Sequence, residues 1–76
     1  MEWNKETEKI TKEFTFKNFK EALGFVNKVG ELAESMDHHP DILIHSYKKV
    51  TISLTSHSDG KVTDKDHHLA SKIDAI

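Results

Sequence analysis

The spacing of the apolar residues changes at Phe16, and that change limits the folds open to this chain more than any other feature. Before it, Ile10, Phe14 and Phe16 share one parity while Thr11, Glu13 and Thr15 take the other, the two-residue period of a half-buried strand. After it, Phe19, Ala22, Leu23, Val26, Val29, Leu32, Ala33 and Met36 recur at three and four residues, a helical stripe about five turns long. Asn18, with Glu21 three places on, predicts the N-cap of that helix and its reciprocal partner. Gly24 and Gly30 fall inside the helix at a cost of about 1 kcal/mol each relative to alanine. Either they mark the close approach of another backbone or they are simply tolerated.

Pro40, the only proline, predicts the end of the helical stretch, because it pushes His39 out of the helical region and cannot extend the helix itself. A strand is expected next, with Ile42 and Ile44 facing one way and Leu43, His45 and Tyr47 the other. Lys48 and Lys49 are read as a tight connection to a further strand, in which Val50, Ile52 and Leu54 alternate against Thr51, Ser53, Thr55 and His57. Ser58, Asp59 and Gly60 then turn the chain into a last helix from about Thr63, with Leu69, Ile73 and Ile76 on one side. A short stretch at Trp3 is expected to pair with the first strand. The order strand, strand, helix, strand, strand, helix predicts an α+β domain spanning residues 1–76, a four-stranded antiparallel sheet with helices packed on one face.

At 76 residues, 36% of them apolar and 32% charged, the chain suits a small folded domain whose core alone gives a thin margin of stability. It has no cysteine to staple that core, so self-association, as a homodimer or homotetramer, is the expected support. No apolar run approaches a membrane span and no secretion leader is evident, so a cytoplasmic location without membrane contact is expected. The net charge is −2, and all eleven basic residues are lysine. Without a basic face or arginines to read guanine, direct nucleic-acid binding is not expected.

All six histidines, His38, His39, His45, His57, His67 and His68, lie from position 38 onward. Imidazole titrates near neutrality, so this clustering points to proton transfer or metal binding. Around the end of the long helix, Glu34, Asp37, His38, His39 and Pro40 combine adjacent imidazoles with carboxylates. They form either a proton-transfer site or a polar helix end with cations favoured by the dipole. His57 should sit at the rim of the sheet with its ring free, as a site group or as plain surface. Asp66 completes Thr63-x-x-Asp66, a capping box with Val62 as its staple, a structural role that does not preclude another. His38-His39 and His67-His68 are adjacent pairs, a poor spacing for one ion, so no metal site is expected. With no cysteine, no glycine-flanked serine and no glycine-rich phosphate loop, nucleophilic chemistry is disfavoured too. Proton transfer is what remains.

Glu34, three residues, His38-His39-Pro40, six residues, Tyr47, nine residues, His57, eight residues and Asp66 form a pattern that resembles the pterin-4a-carbinolamine dehydratases, also known as dimerisation cofactors of a homeodomain transcription factor. Phe14-x-Phe16, Gly24-Phe25, Lys49-Val50 and Leu69-Ala70 extend the resemblance over nearly the whole chain, and longer relatives carry a helical segment ahead of the tryptophan. His45, His67 and His68 match no motif position and are read as incidental. The resemblance implies dehydration of 4a-hydroxytetrahydropterin to quinonoid dihydropterin, the recycling step for aromatic amino acid hydroxylases, with pterin as substrate and no metal or organic cofactor. It implies His38 and His57 as the acid/base pair and His39 as an orienting group that shares the acid role. Asp37, Thr55, Ser56 and Ser58 would line the pterin pocket, while Glu34 and Asp66 would fix imidazole tautomers. Pro40 would fix the turn and Tyr47 would pack. The alternative is an oligomeric protein-binding module or transcriptional cofactor without catalysis, its long apolar helix burying against a protein partner.

Overall fold

A computed structural model describes residues 3–6, 8–56 and 60–76. The alternating segment forms β2 (Ile10–Thr15), which pairs antiparallel with both β1 (Asn4–Lys5) and β4 (Lys49–Leu54); β3 (Asp41–His45) lies along the other side of β4. The sheet order is β1-β2-β4-β3, so the two longest strands take the centre. Register follows the apolar parity. Ile10 lies opposite Leu54, Phe14 opposite Val50, and Ile42 and Ile44 opposite Ile52 and Val50, which stacks the inward residues of three strands. Val50, Ile52 and Leu54 are all fully buried. Lys12 also points inward, and its ammonium escapes past the Phe14 ring to an ion pair of 2.7 Å with Asp74. Trp3 donates to the same carboxylate at 3.0 Å, tying the start of the chain to the end of the last helix.

Two helices cover the inward face: α1 (Phe19–Met36) and α2 (Asp64–Asp74). Asn18 caps α1 as expected, accepting from the Glu21 amide at 2.9 Å, while the Glu21 carboxylate accepts from the Lys17 amide at 3.1 Å. The buried residues of α1 are Ala22, Phe25, Val29 and Ala33. The helix is therefore rotated from the expected stripe: Phe25 packs on Phe14 and Phe16 with ring centroids 4.7 and 4.8 Å apart, and Phe19 and Leu23 stay exposed. Neither Gly24 nor Gly30 meets another backbone, since a Cβ at either position would have nothing within 4 Å.

The turns depart most from expectation. α1 stops at Met36, four residues before Pro40, where Asp37 adopts the left-handed conformation (φ 50, ψ 43) and the His38 amide reaches back to the Ala33 carbonyl at 3.1 Å. That is a Schellman-type closure, with an aspartate in the position that glycine usually fills. The β3–β4 connection is Ser46 to Lys48 rather than Lys48 and Lys49, and both Ser46 and Tyr47 have positive φ, near 50. Lys49 already belongs to β4, and Tyr47 lies in the turn rather than on the strand. Ile76, expected on the packed side of α2, is 45% exposed because the helix ends at Asp74. The expected Ser58-Asp59-Gly60 turn falls mostly outside the described residues; Gly60 has φ +67, and its amide donates to the Ser56 carbonyl at 2.8 Å.

Candidate active site

The end of α1, the start of β3, the second residue after β4 and the first turn of α2 meet at one end of the sheet, and each contributes polar side chains. At their junction lies Asp66, fully buried and completely partnered. Thr63 caps α2, and its amide donates to Asp66 Oδ2 at 2.9 Å. The buried Ser56 donates its hydroxyl to the same oxygen at 2.9 Å. Ser56 Oγ and Thr63 Oγ1 are 2.6 Å apart; with the serine proton directed at Asp66, Thr63 is the donor of that bond. The other carboxylate oxygen, Oδ1, lies 2.5 Å from His38 Nε2.

These contacts decide the protonation of the pair. Burial pushes the Asp66 carboxyl up, but the hydrogen bonds from His38, the Thr63 amide and Ser56, together with the charge of His38, outweigh it and hold the group below its ordinary range. Asp66 is therefore a carboxylate at neutral pH and can only accept. His38 Nε2 carries the proton between the two groups, and in the neutral ring Nδ1 is then the nitrogen with a lone pair. The left-handed Asp37 aims the chain so that this ring is packed inward, with only 11% of its side chain exposed.

His39 is placed differently. Its ring is 59% exposed, and Nε2 lies 2.5 Å from Glu34 Oε2 across the last turn of α1. The bond to Glu34 raises its pKa, against a smaller lowering by burial, and the charges of Glu34 and Asp37 add to the rise. Two neighbouring imidazoles are thus each tied through Nε2 to a carboxylate, one shielded and one open to solvent. Such a pair can take a proton at one ring and deliver one from the other.

Both rings face a concavity of about 350 Å³ lined by Asp37, His38, His39, Pro40, Asp41, Ser56 and Lys65. Larger grooves of about 470 Å³, between β2 and the end of α2, and 570 Å³, between α1 and the end of α2, are not lined by a histidine. Of the expected site residues, Asp37, His38, His39 and Ser56 line the concavity, and Glu34 and Asp66 hold the two imidazoles. Thr55 does not line it: its hydroxyl donates to the Glu8 carbonyl at 2.5 Å, bracing the loop between β1 and β2. His57 and Ser58 lie outside the described residues. Tyr47 is 58% exposed in the β3–β4 turn and contributes nothing to the lining.

Asp41 and Lys65 are lining residues that sequence reasoning missed. The available signals were adjacency to Pro40 and to Asp66, neither of which gives a direction in space. His45 sits on the opposite, solvent-facing side of the sheet, with Nε2 3.0 Å from Thr51 Oγ1 and 3.1 Å from Glu13 Oε1. His67 and His68 are exposed on α2. Among the described residues, no three His, Asp or Glu side chains are grouped as a metal ion would require, and no helix is long and apolar enough to cross a membrane.

The family model for pterin 4 alpha carbinolamine dehydratase matches residues 1–76. A Picosynechococcus protein named for pterin-4-alpha-carbinolamine dehydratase is 55% identical over 99% of this chain and 80% of its own length. A Sulfolobus acidocaldarius protein of the same name is 47% identical over 97% of this chain and 80% of its own. Among solved structures, a transcriptional coactivator/pterin dehydratase from Brucella melitensis superposes with a TM-score of 0.88 at 39% identity, over 96% of this chain and 79% of that one. A pterin dehydratase-like RuBisCO assembly factor of the alpha-carboxysome, 20% identical with a TM-score of 0.77 over 97% of this chain and 84% of its own, shares the fold. Matched along its whole length by the family model and about half identical to relatives over nearly all of it, the chain belongs to the pterin-4a-carbinolamine dehydratase family.

Proposed function

We propose that this chain is a hydro-lyase that eliminates water from 4a-hydroxytetrahydropterin to give quinonoid dihydropterin, with imidazole side chains moving the protons. The observation that carries the reading is the fully buried Asp66 holding His38 by Nε2 at the wall of a concavity of about 350 Å³, at the small end of the range for small-molecule sites. In the reaction the C4a–O bond breaks as the hydroxyl oxygen accepts a proton, while N5 loses its proton and forms the C4a=N5 double bond. No electron leaves the substrate. In the neutral ring His38 Nδ1, turned from Asp66, has the lone pair that suits the base role at N5. His39, whose pKa Glu34 raises, suits delivery of a proton to the leaving hydroxyl, a role that His57 shares. Asp37 and Ser56 are proposed contacts to the pterin, with Ser58 a further one, and Glu34 and Asp66 fix the rings. A positioned acid or base is worth roughly 10²- to 10⁴-fold, a useful gain for an elimination that already proceeds slowly in water.

This reading assigns the chain to the recycling of a pterin cofactor. Replacing His38 and His57 separately by alanine and following carbinolamine dehydration by stopped flow tests it. Each variant is expected to lose at least tenfold in kcat, by the magnitude of general acid–base catalysis, and full activity in both contradicts the assignment. Phe19 and Leu23, exposed on the outer side of α1, favour a second property, association with further copies of this chain, which sedimentation at micromolar concentration measures directly.

A further inference from the structure

Lys65 lines the concavity from the first turn of α2, one residue before the carboxylate that holds His38. Among the described side chains there it is the one cation that the acid/base roles do not use. Asp37 and Asp41 can only accept hydrogen bonds once ionised, and the single protons of Ser56 Oγ and His38 Nε2 are already directed at Asp66. His39 has its Nε2 occupied by Glu34. Lys65 is an ammonium with three donors and no acceptor. The lining thus opposes two carboxylates, on the α1–β3 connection and at the start of β3, to one ammonium on α2.

A pterin carries the complementary pattern along its pyrimidinone edge, where the 2-amino group and N3–H donate and the adjoining C4 carbonyl oxygen accepts. That oxygen is bonded to the carbon next to C4a, so holding it fixes the reacting carbon relative to the imidazoles. Resting on the dehydratase reading above, we propose that Lys65 is a positioning residue that donates to the C4 carbonyl oxygen of the pterin while the carboxylates of Asp37 and Asp41 face its donor edge. Lys65 then acts on binding and orientation and leaves proton transfer to the histidines. Its loss shows in KM, and the pH dependence of kcat stays with the His38–Asp66 and His39–Glu34 pairs.

The test compares wild type, Lys65→Met and Lys65→Arg with two ligands: 7,8-dihydropterin, and 2-amino-7,8-dihydropteridine, which lacks the C4 oxygen. Methionine keeps the aliphatic stem, and position 65 is exposed at a helix end, so the variant retains the core of the wild type. Loss of one charge-assisted bond predicts about a tenfold weaker Kd for 7,8-dihydropterin and about a tenfold higher KM in Lys65→Met, with kcat within about twofold. Arginine restores most of both, and binding of the ligand without the oxygen is equal in all three proteins. Unchanged Kd and KM in Lys65→Met overturn the proposal, as does an equal loss for both ligands. Wild type that binds neither ligand and dehydrates no carbinolamine overturns the dehydratase reading itself, a result distinct from pterin binding that is indifferent to position 65.

Discussion

Replacing Asp66 by asparagine changes one atom and should separate the structural role of this residue from its chemical one. In the wild type, Oδ2 accepts from the Thr63 amide and Ser56, both at 2.9 Å, and Oδ1 accepts from His38 at 2.5 Å. The asparagine oxygen can keep the first two bonds, now to a neutral acceptor, and its amino group then faces His38. A hydrogen bond to a charged group contributes about 1.5–3 kcal/mol against about 0.5–1.5 for a neutral one, so weakening the two bonds to Oδ2 alone costs roughly 2–3 kcal/mol. In a domain of this size that lowers Tm by about 10–20 °C. Alanine, which strands the amide, the hydroxyl and the imidazole together, should cost about 3–5 kcal/mol. The difference between wild type and Asp66→Asn must also depend on pH. The folded carboxyl titrates below its ordinary 3.8, so its contribution is complete above that value and is lost as pH falls through the folded pKa. Urea denaturation at pH 7 and at steps below pH 4 should therefore show a gap that narrows in acid. The amino group facing Nε2 also reverses the histidine tautomer, making Nδ1 a donor, so kcat should fall by about 10²-fold or more even where the variant is fully folded. A gap under 0.5 kcal/mol, or one that persists unchanged at low pH, would refute the assignment of Asp66 as an ionised, hydrogen-bonded anchor.

Two further outcomes follow from other parts of the molecule. Glu34→Gln removes the hydrogen bond that raises His39, so the ring should titrate closer to 6.5, measured from its proton chemical shifts; an unchanged midpoint would mean that Glu34 does not hold the ring in solution. Because the folded pKa of His39 is raised, whatever stability this pair adds is present below 6.5 and fades as pH climbs through the folded value. Gly24→Ala and Gly30→Ala should each stabilise α1 by about 0.5–1 kcal/mol, since the added methyl meets nothing within 4 Å, and thermal melting reads the gain; destabilisation would place another backbone against that face.

The periodicities carried most of the architecture, because burial acts on one side of each element. Ile10 and Phe14 on β2, and Val50, Ile52 and Leu54 on β4, face the core as their alternation requires. Local hydrogen-bonding chemistry was equally legible at Asn18 and at Thr63 with Asp66. The left-handed residues were not. Asp37, Ser46 and Tyr47 take up positive φ without a glycine to announce it, because tertiary pairing on either side fixes the backbone there. The rotation of α1 that buries Phe25 and exposes Phe19 is likewise set by the aromatic cluster on β2, which a stripe of mixed apolar residues does not specify. In the site, the spacing pattern singled out His38, His39, Glu34 and Asp66 and also included Thr55, which turns to the Glu8 carbonyl instead. Lys65 and Asp41 carried no signal of their own, since a lysine on an amphipathic helix and an aspartate opening an edge strand ordinarily face solvent.

The central claim is that Asp66 fixes the proton of His38 on Nε2, so that Nδ1 meets the pterin. The ring nitrogens of uniformly ¹⁵N-labelled protein, observed at a pH where His38 is neutral and with 7,8-dihydropterin titrated in, report this directly. The expected spectrum has a protonated Nε2 that stays put and an unprotonated Nδ1 that moves as ligand binds. A proton on Nδ1 in the free protein, or ligand saturation that leaves Nδ1 unmoved, would contradict the account.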